Sequence, residues 1–119
     1  MPGYFPLLTD IDVDGRVVRG LLRLGWDIVR VVDTFPGTTL DDVLFEESAR
    51  QNRVFVTNDK RIHRLAVSWI QTGRSFRMVF WAKKHHDRMT IGEFLDAFEE
   101  LARREKPFSY PIEYIKPRP

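Results

Sequence analysis

An unbroken apolar run, Val54-Phe55-Val56, ends in Thr57-Asn58-Asp59 and passes directly into a basic amphipathic stretch. No other feature limits the folds open to this chain as much. A run without polar alternation suits a strand buried on both faces, as in the middle of a parallel sheet. The turn after it sets a carboxylate at the strand's carboxyl end, where open α/β sheets bind their ligands. Asp59 is therefore the first candidate site residue, and the rest of the chain has to supply its partners.

Residues 4–9 read as a first short strand, closed by the turn Asp10-Ile11-Asp12-Val13-Asp14-Gly15. Val17, Val18, Leu21, Leu22 and Leu24 then recur at helical spacing until Gly25. Residues 26–32 read as a second strand and 33–39, with Pro36-Gly37, as a loop. A helix over 41–51 places Leu40, Leu44, Phe45, Ser48 and Ala49 on its buried side, with Thr39 or Asp41 as cap. After the central strand, Ile62, Leu65, Ala66, Trp69 and Ile70 mark a helix that ends near Gly73. Residues 77–82 read as a fourth strand, 83–89 as a polar loop, and Thr90-Ile91-Gly92-Glu93 has the spacing of a capping box. Ile91, Phe94, Leu95, Phe98, Leu101 and Ala102 form the stripe of the last helix, and residues 111–116 form a final edge strand. Strand and helix alternate throughout. That pattern predicts an α/β fold, a three-layer α/β/α sandwich around a mainly parallel central sheet. The 119 residues read as one domain.

Cysteine is absent, which removes disulfides, zinc-thiolate sites and cysteine nucleophiles. No apolar run approaches the roughly 20 residues needed to span a bilayer, and the expected location is cytoplasmic. The net charge of +2 is small, but its distribution is uneven. Acidic residues gather at 10–14 and 41–47, basic ones at 60–64, 74–77 and 83–88. An acidic pocket in a basic surround suits a metal-dependent enzyme acting on a polyanion. No Walker or dinucleotide glycine loop and no Gly-x-Ser-x-Gly elbow is present. Trp69 and Trp81 fall on buried positions, His63 on a solvated one, and the adjacent pair His85-His86 is a poor chelate for one ion.

Asp10 and Asp59 each follow a strand, so parallel neighbours would present both at one sheet edge. Asp41 and Asp42 begin a helix that the preceding loop returns towards that edge, and Asp12 lies in the first turn. Converging carboxylates repel one another unless a cation holds them. Mg²⁺ and Mn²⁺ are hard ions that take such oxygen ligands. Lys60, Arg61, Arg64, Lys83, Lys84 and Arg88 supply a basic rim for a phosphate backbone.

The blocks Leu7-Leu8-Thr9-Asp10, Leu24-Gly25-Trp26-Asp27-Ile28, Asp41 with Leu44, Phe45 and Ser48, and above all residues 53–60 carry a family resemblance. Together they resemble the small stand-alone PIN-like domains of prokaryotes, relatives of the VapC-type ribonuclease toxins. The resemblance implies that Asp10, Asp41 and Asp59 bind Mg²⁺ or Mn²⁺ and that the activity is metal-dependent RNA cleavage. It also implies an antitoxin protein as partner. Two departures stand out. Relatives usually place Glu directly after the first Asp, where this chain has Ile11 and then Asp12. They commonly read Asp-Lys-Asp-Phe where this chain has Asp59-Lys60-Arg61-Ile62. Two readings therefore stay open: a nuclease in which Asp12 or Asp42 compensates, or an inactive module that binds RNA or a protein. The aromatic-rich segment 108–114 also has two placements, at a homodimer interface or closing the chain's own sheet.

Overall fold

Strands short enough to be buried along their whole length set the architecture. A computed structural model describes residues 4–119. Its strands are β1 (Leu7–Thr9), β2 (Ile28–Arg30), β3 (Val54–Thr57), β4 (Met78–Phe80) and β5 (Ile112–Tyr114). They form one sheet in the order β2-β1-β3-β4-β5, every neighbouring pair parallel. The three inner strands are wholly buried, as their unbroken apolar character demands.

Residue alternation along the strands divides the core in two. Leu7, Val54, Val56 and Val79 face a layer made by α1 (Gly15–Arg23) and α6 (Ile91–Arg103). Leu8, Phe55, Met78, Phe80 and Ile112 face α3 (Asp41–Arg50) and α4 (Lys60–Gln71). This is the three-layer α/β/α sandwich that the alternation predicts. Trp69 and Trp81 both lie in the core. The Thr90–Glu93 capping box forms with both of its hydrogen bonds and starts α6.

Helix placement also gives the last crossover its hand. β3 to β4 and β4 to β5 step in the same direction across the sheet. Yet α4 covers one face and α6 the other, so these two crossovers have opposite hands. The connections through α1, α3 and α4 share one hand. The β4-to-β5 connection has the other.

Several expectations change. Val31 and Val32 leave the second strand for a helical turn, α2 (Val31–Thr34). β1 turns away after Thr9, whose ladder partner is Arg30, so nothing remains for Val31 to pair with. Val31 is buried in that turn and Val32 is exposed. Leu40 is exposed rather than buried, because it is the N-cap of α3 and stands outside the helical stripe. Neither Thr39 nor Asp41 caps that helix. The Thr39 hydroxyl donates to the Pro36 carbonyl instead, and Asp41 is already helical. The polar loop after β4 contains a short helix, α5 (Lys83–His86). His63 is not simply solvated, because its Nε2 lies 2.8 Å from the Tyr114 hydroxyl and its ring packs against Phe80. Tyr114 ends β5, so the aromatic segment closes the chain's own sheet.

Candidate metal centre

The order of the strands reverses between β1 and β3, because the chain goes outward to β2 and then crosses back. Helices leave opposite faces at that point and open a crevice at the carboxyl edge. Asp10 follows β1 there and Asp59 follows β3. Asp10, Asp12 and Asp59 each offer a carboxylate oxygen, and these oxygens all lie within 4.8 Å of one another. Asp12 reaches the group because the turn between β1 and α1 is short, its Val13 amide bonded back to the Asp10 carbonyl.

Each carboxylate is held differently. Asp10 is 7% exposed. The Thr57 hydroxyl donates to its Oδ2 at 2.7 Å, and the Ile11 amide donates to its Oδ1 at 2.9 Å. Burial raises its pKa, the two hydrogen bonds oppose that rise, and the charges of Asp12 and Asp41 add to it. Thr57 has a second task. Its hydroxyl oxygen accepts from the Asp59 amide at 3.0 Å, so one side chain ties both strand ends together. Asp59 caps α4, its Oδ1 accepting from the Arg61 amide at 2.8 Å. The Arg61 guanidinium also grips both oxygens, Nε at 3.3 Å from Oδ1 and Nη2 at 3.0 Å from Oδ2. That hydrogen bonding lowers the Asp59 pKa, with Lys83 adding a smaller electrostatic contribution. Asp12 is exposed.

The other predicted residues take distinct places. Asp41, at the start of α3, acts on Asp10 and Arg61 through its charge but stands outside the group of three. Asp42 is exposed, its Oδ1 accepting from the Val43 amide, and it too is outside. Lys60, Arg61 and Arg64 lie on the first turns of α4, and Lys83 and Lys84 begin α5, all exposed on neighbouring elements. His85 and His86 do not act together. His86 Nε2 lies 3.1 Å from Asp14 Oδ2, while the buried His85 Nδ1 has no partner among the described residues. Asp14 repeats the arrangement at Asp59: it caps α1 and is gripped by Arg16, which depresses its pKa strongly.

Two residues at this edge were not singled out by the carboxylate pattern. Thr57 is the joint of the site, and its signal was its place at the end of the strand, two residues before Asp59. Asn58 is 6% exposed and its Oδ1 has no hydrogen-bond partner among the described residues. A buried unpaired acceptor costs about 1–3 kcal/mol. Set beside models of protein families, characterised proteins and solved structures, the chain matches none of them. The site must speak through its own chemistry.

That chemistry is of hard oxygen donors. Three carboxylates converge, one is buried with a raised pKa, and a neutral oxygen stands unpaired next to Asp59. Such a set fits a divalent cation that prefers oxygen ligands. It offers no nucleophile paired with a base.

Proposed function

We propose that this chain is a Mg²⁺- or Mn²⁺-dependent ribonuclease, a reading continuous with its PIN-like resemblance. The observation that carries it is the convergence of Asp10, Asp12 and Asp59 at the point where the strand order reverses. A bound divalent ion would supply a water of lowered pKa and stabilise charge on a phosphodiester. The chain's own residues do the rest. Thr57 orients Asp10 and fixes the strand end that carries Asp59. Lys83, whose charge acts on Asp59, and the exposed Lys60, Arg64 and Lys84 of α4 and α5 supply positive charge suited to a phosphate backbone. An antitoxin and a cytoplasmic setting belong to the same proposal.

The test is cleavage of a labelled RNA with Mg²⁺ or Mn²⁺ by wild type beside Asp59→Asn. Wild-type cleavage that Asp59→Asn lacks, and that EDTA stops, is the expected result. Equal cleavage by both proteins would place the activity elsewhere.

A second reading, a module that binds RNA or a protein without cutting, is favoured by one contact. Arg61 already satisfies both oxygens of Asp59. Its side chain is 71% exposed, so solvent screens the pair and weakens it. A divalent ion can therefore displace it. Arg61→Gln is expected to tighten Mn²⁺ binding roughly three- to tenfold in calorimetry, the equivalent of losing one exposed ion pair and some repulsion. Absence of Mn²⁺ binding in both proteins favours the module.

A further inference from the structure

Asn58 is the polar group at this edge that the three carboxylates leave unexplained. It borders an open cleft of about 390 Å³ together with Asp12, Asp14, Lys83, His86 and Asp87. Asp12 therefore belongs both to the acidic group and to the cleft. Of the other carboxylates of the cleft, Asp14 is engaged and Asp87 lies 3.5 Å from His86 Nδ1. Asp14 holds the α1 amide, Arg16 and His86. Asp87 has a side chain that is 93% exposed. Asp12 and Asn58 are the oxygen donors left with capacity to bind.

Asn58 also lies on a definite side of the sheet. Strand alternation puts it with Val54 and Val56, towards the α1 layer, and puts Thr57 towards the α4 layer. Thr9, the ladder partner of Val56, lies on the same side, and its hydroxyl is also buried without a partner among the described residues. A hydroxyl can donate as well as accept, whereas an amide oxygen accepts only.

We propose that Asn58 Oδ1 is a ligand to the divalent cation, approached from the Asp12 side of the acidic group. The proposal rests on the cation reading above. Hard cations accept amide carbonyl oxygens alongside carboxylates. A neutral fourth ligand also suits the local charge. Three carboxylates, one divalent ion and the Arg61 guanidinium are in balance, and a fourth carboxylate would leave an excess.

Asn52 and Asn58 are the only asparagines in the chain. Protein labelled with ¹⁵N-asparagine therefore gives two side-chain NH₂ pairs. Asn52 precedes β3 at the opposite end of the strand, where its carbonyl oxygen accepts from Arg77, and it serves as an internal control. Addition of Mg²⁺ is expected to shift the Asn58 pair and leave the Asn52 pair in place. Mn²⁺ is expected to broaden the Asn58 pair first. Calorimetry should show Mn²⁺ binding to Asn58→Leu weakened on the order of tenfold, and to Asn58→Asp tightened, in proteins whose circular dichroism matches wild type.

The wild-type spectrum keeps the test independent of how the variants fold. A stationary Asn58 pair in protein that binds Mn²⁺ overturns the ligand role and leaves the cation reading standing, with a water joining Asn58 to Thr9 as the alternative. No shift and no Mn²⁺ binding overturns both.

Discussion

Asp10→Asn is expected to raise the unfolding temperature of the metal-free protein and to abolish the further rise that Mn²⁺ gives wild type. Both halves follow from one carboxylate. Asp10 is buried, and desolvation, Asp12 and Asp41 all disfavour its charge. Its pKa is raised in the folded state, so its contribution to stability is fully present below the unfolded pKa. That contribution is lost as pH rises through the folded value. At neutral pH the ionised group is a burden that Asn removes, while Asn keeps one oxygen to accept from the Ile11 amide and turns its NH₂ to the Thr57 hydroxyl oxygen. The gap between variant and wild type should therefore widen from acid towards neutral pH. With Mn²⁺ the order reverses. Saturation at about a hundredfold excess over Kd stabilises wild type by ~2.7 kcal/mol. The variant should bind at least about 100-fold more weakly. Thermal unfolding with and without Mn²⁺, across pH, measures all of this. A variant destabilised at neutral pH without metal would contradict the burden assigned to Asp10.

Phe45→Ala is expected to have the largest effect on stability, about 3–5 kcal/mol. Phe45 is fully buried at the contact between α3 and α4. Its ring meets Phe55 at 5.8 Å, Trp69 at 4.6 Å and Phe76 at 5.0 Å, and such aromatic pairs add to the area lost. A domain of this size is stable by about 5–15 kcal/mol in all, so the variant should unfold early in urea. Mn²⁺ affinity of the folded variant should stay near wild type, because Asp10, Asp12 and Asp59 come from β1, β3 and the turns after them. A loss under ~1 kcal/mol would mean that the cavity collapses on α4.

The sheet was legible because β3 and β4 are unbroken apolar runs and because Thr90–Glu93 announces α6. Alternation also showed that Asp10 and Asp59 share an edge. Spacing alone did not decide which of the remaining acids joins them. Asp41 and Asp12 both stood at turns, and the choice of Asp12 depends on how tightly the turn after β1 closes. Val31 and Val32 misled because their β-branched side chains suit a strand, whereas the length of β1 decides where pairing stops. Lys83–His86 has no apolar stripe to reveal a helix. Asn58 escaped for a different reason: a search for charge passes over a neutral oxygen, and only burial shows that it lacks a partner.

The reversed hand of the final crossover separates what the crevice holds from what surrounds it. The chain leaves β4 towards the α1 layer, and on that path it delivers Lys83, His86 and Asp87 beside Asp12 and Asp14. The three converging carboxylates all precede residue 60, so they belong to an earlier stretch of polypeptide than the wall opposite them. Substitution within residues 83–119 can alter what the crevice admits while the carboxylates that bind the ion stay as they are.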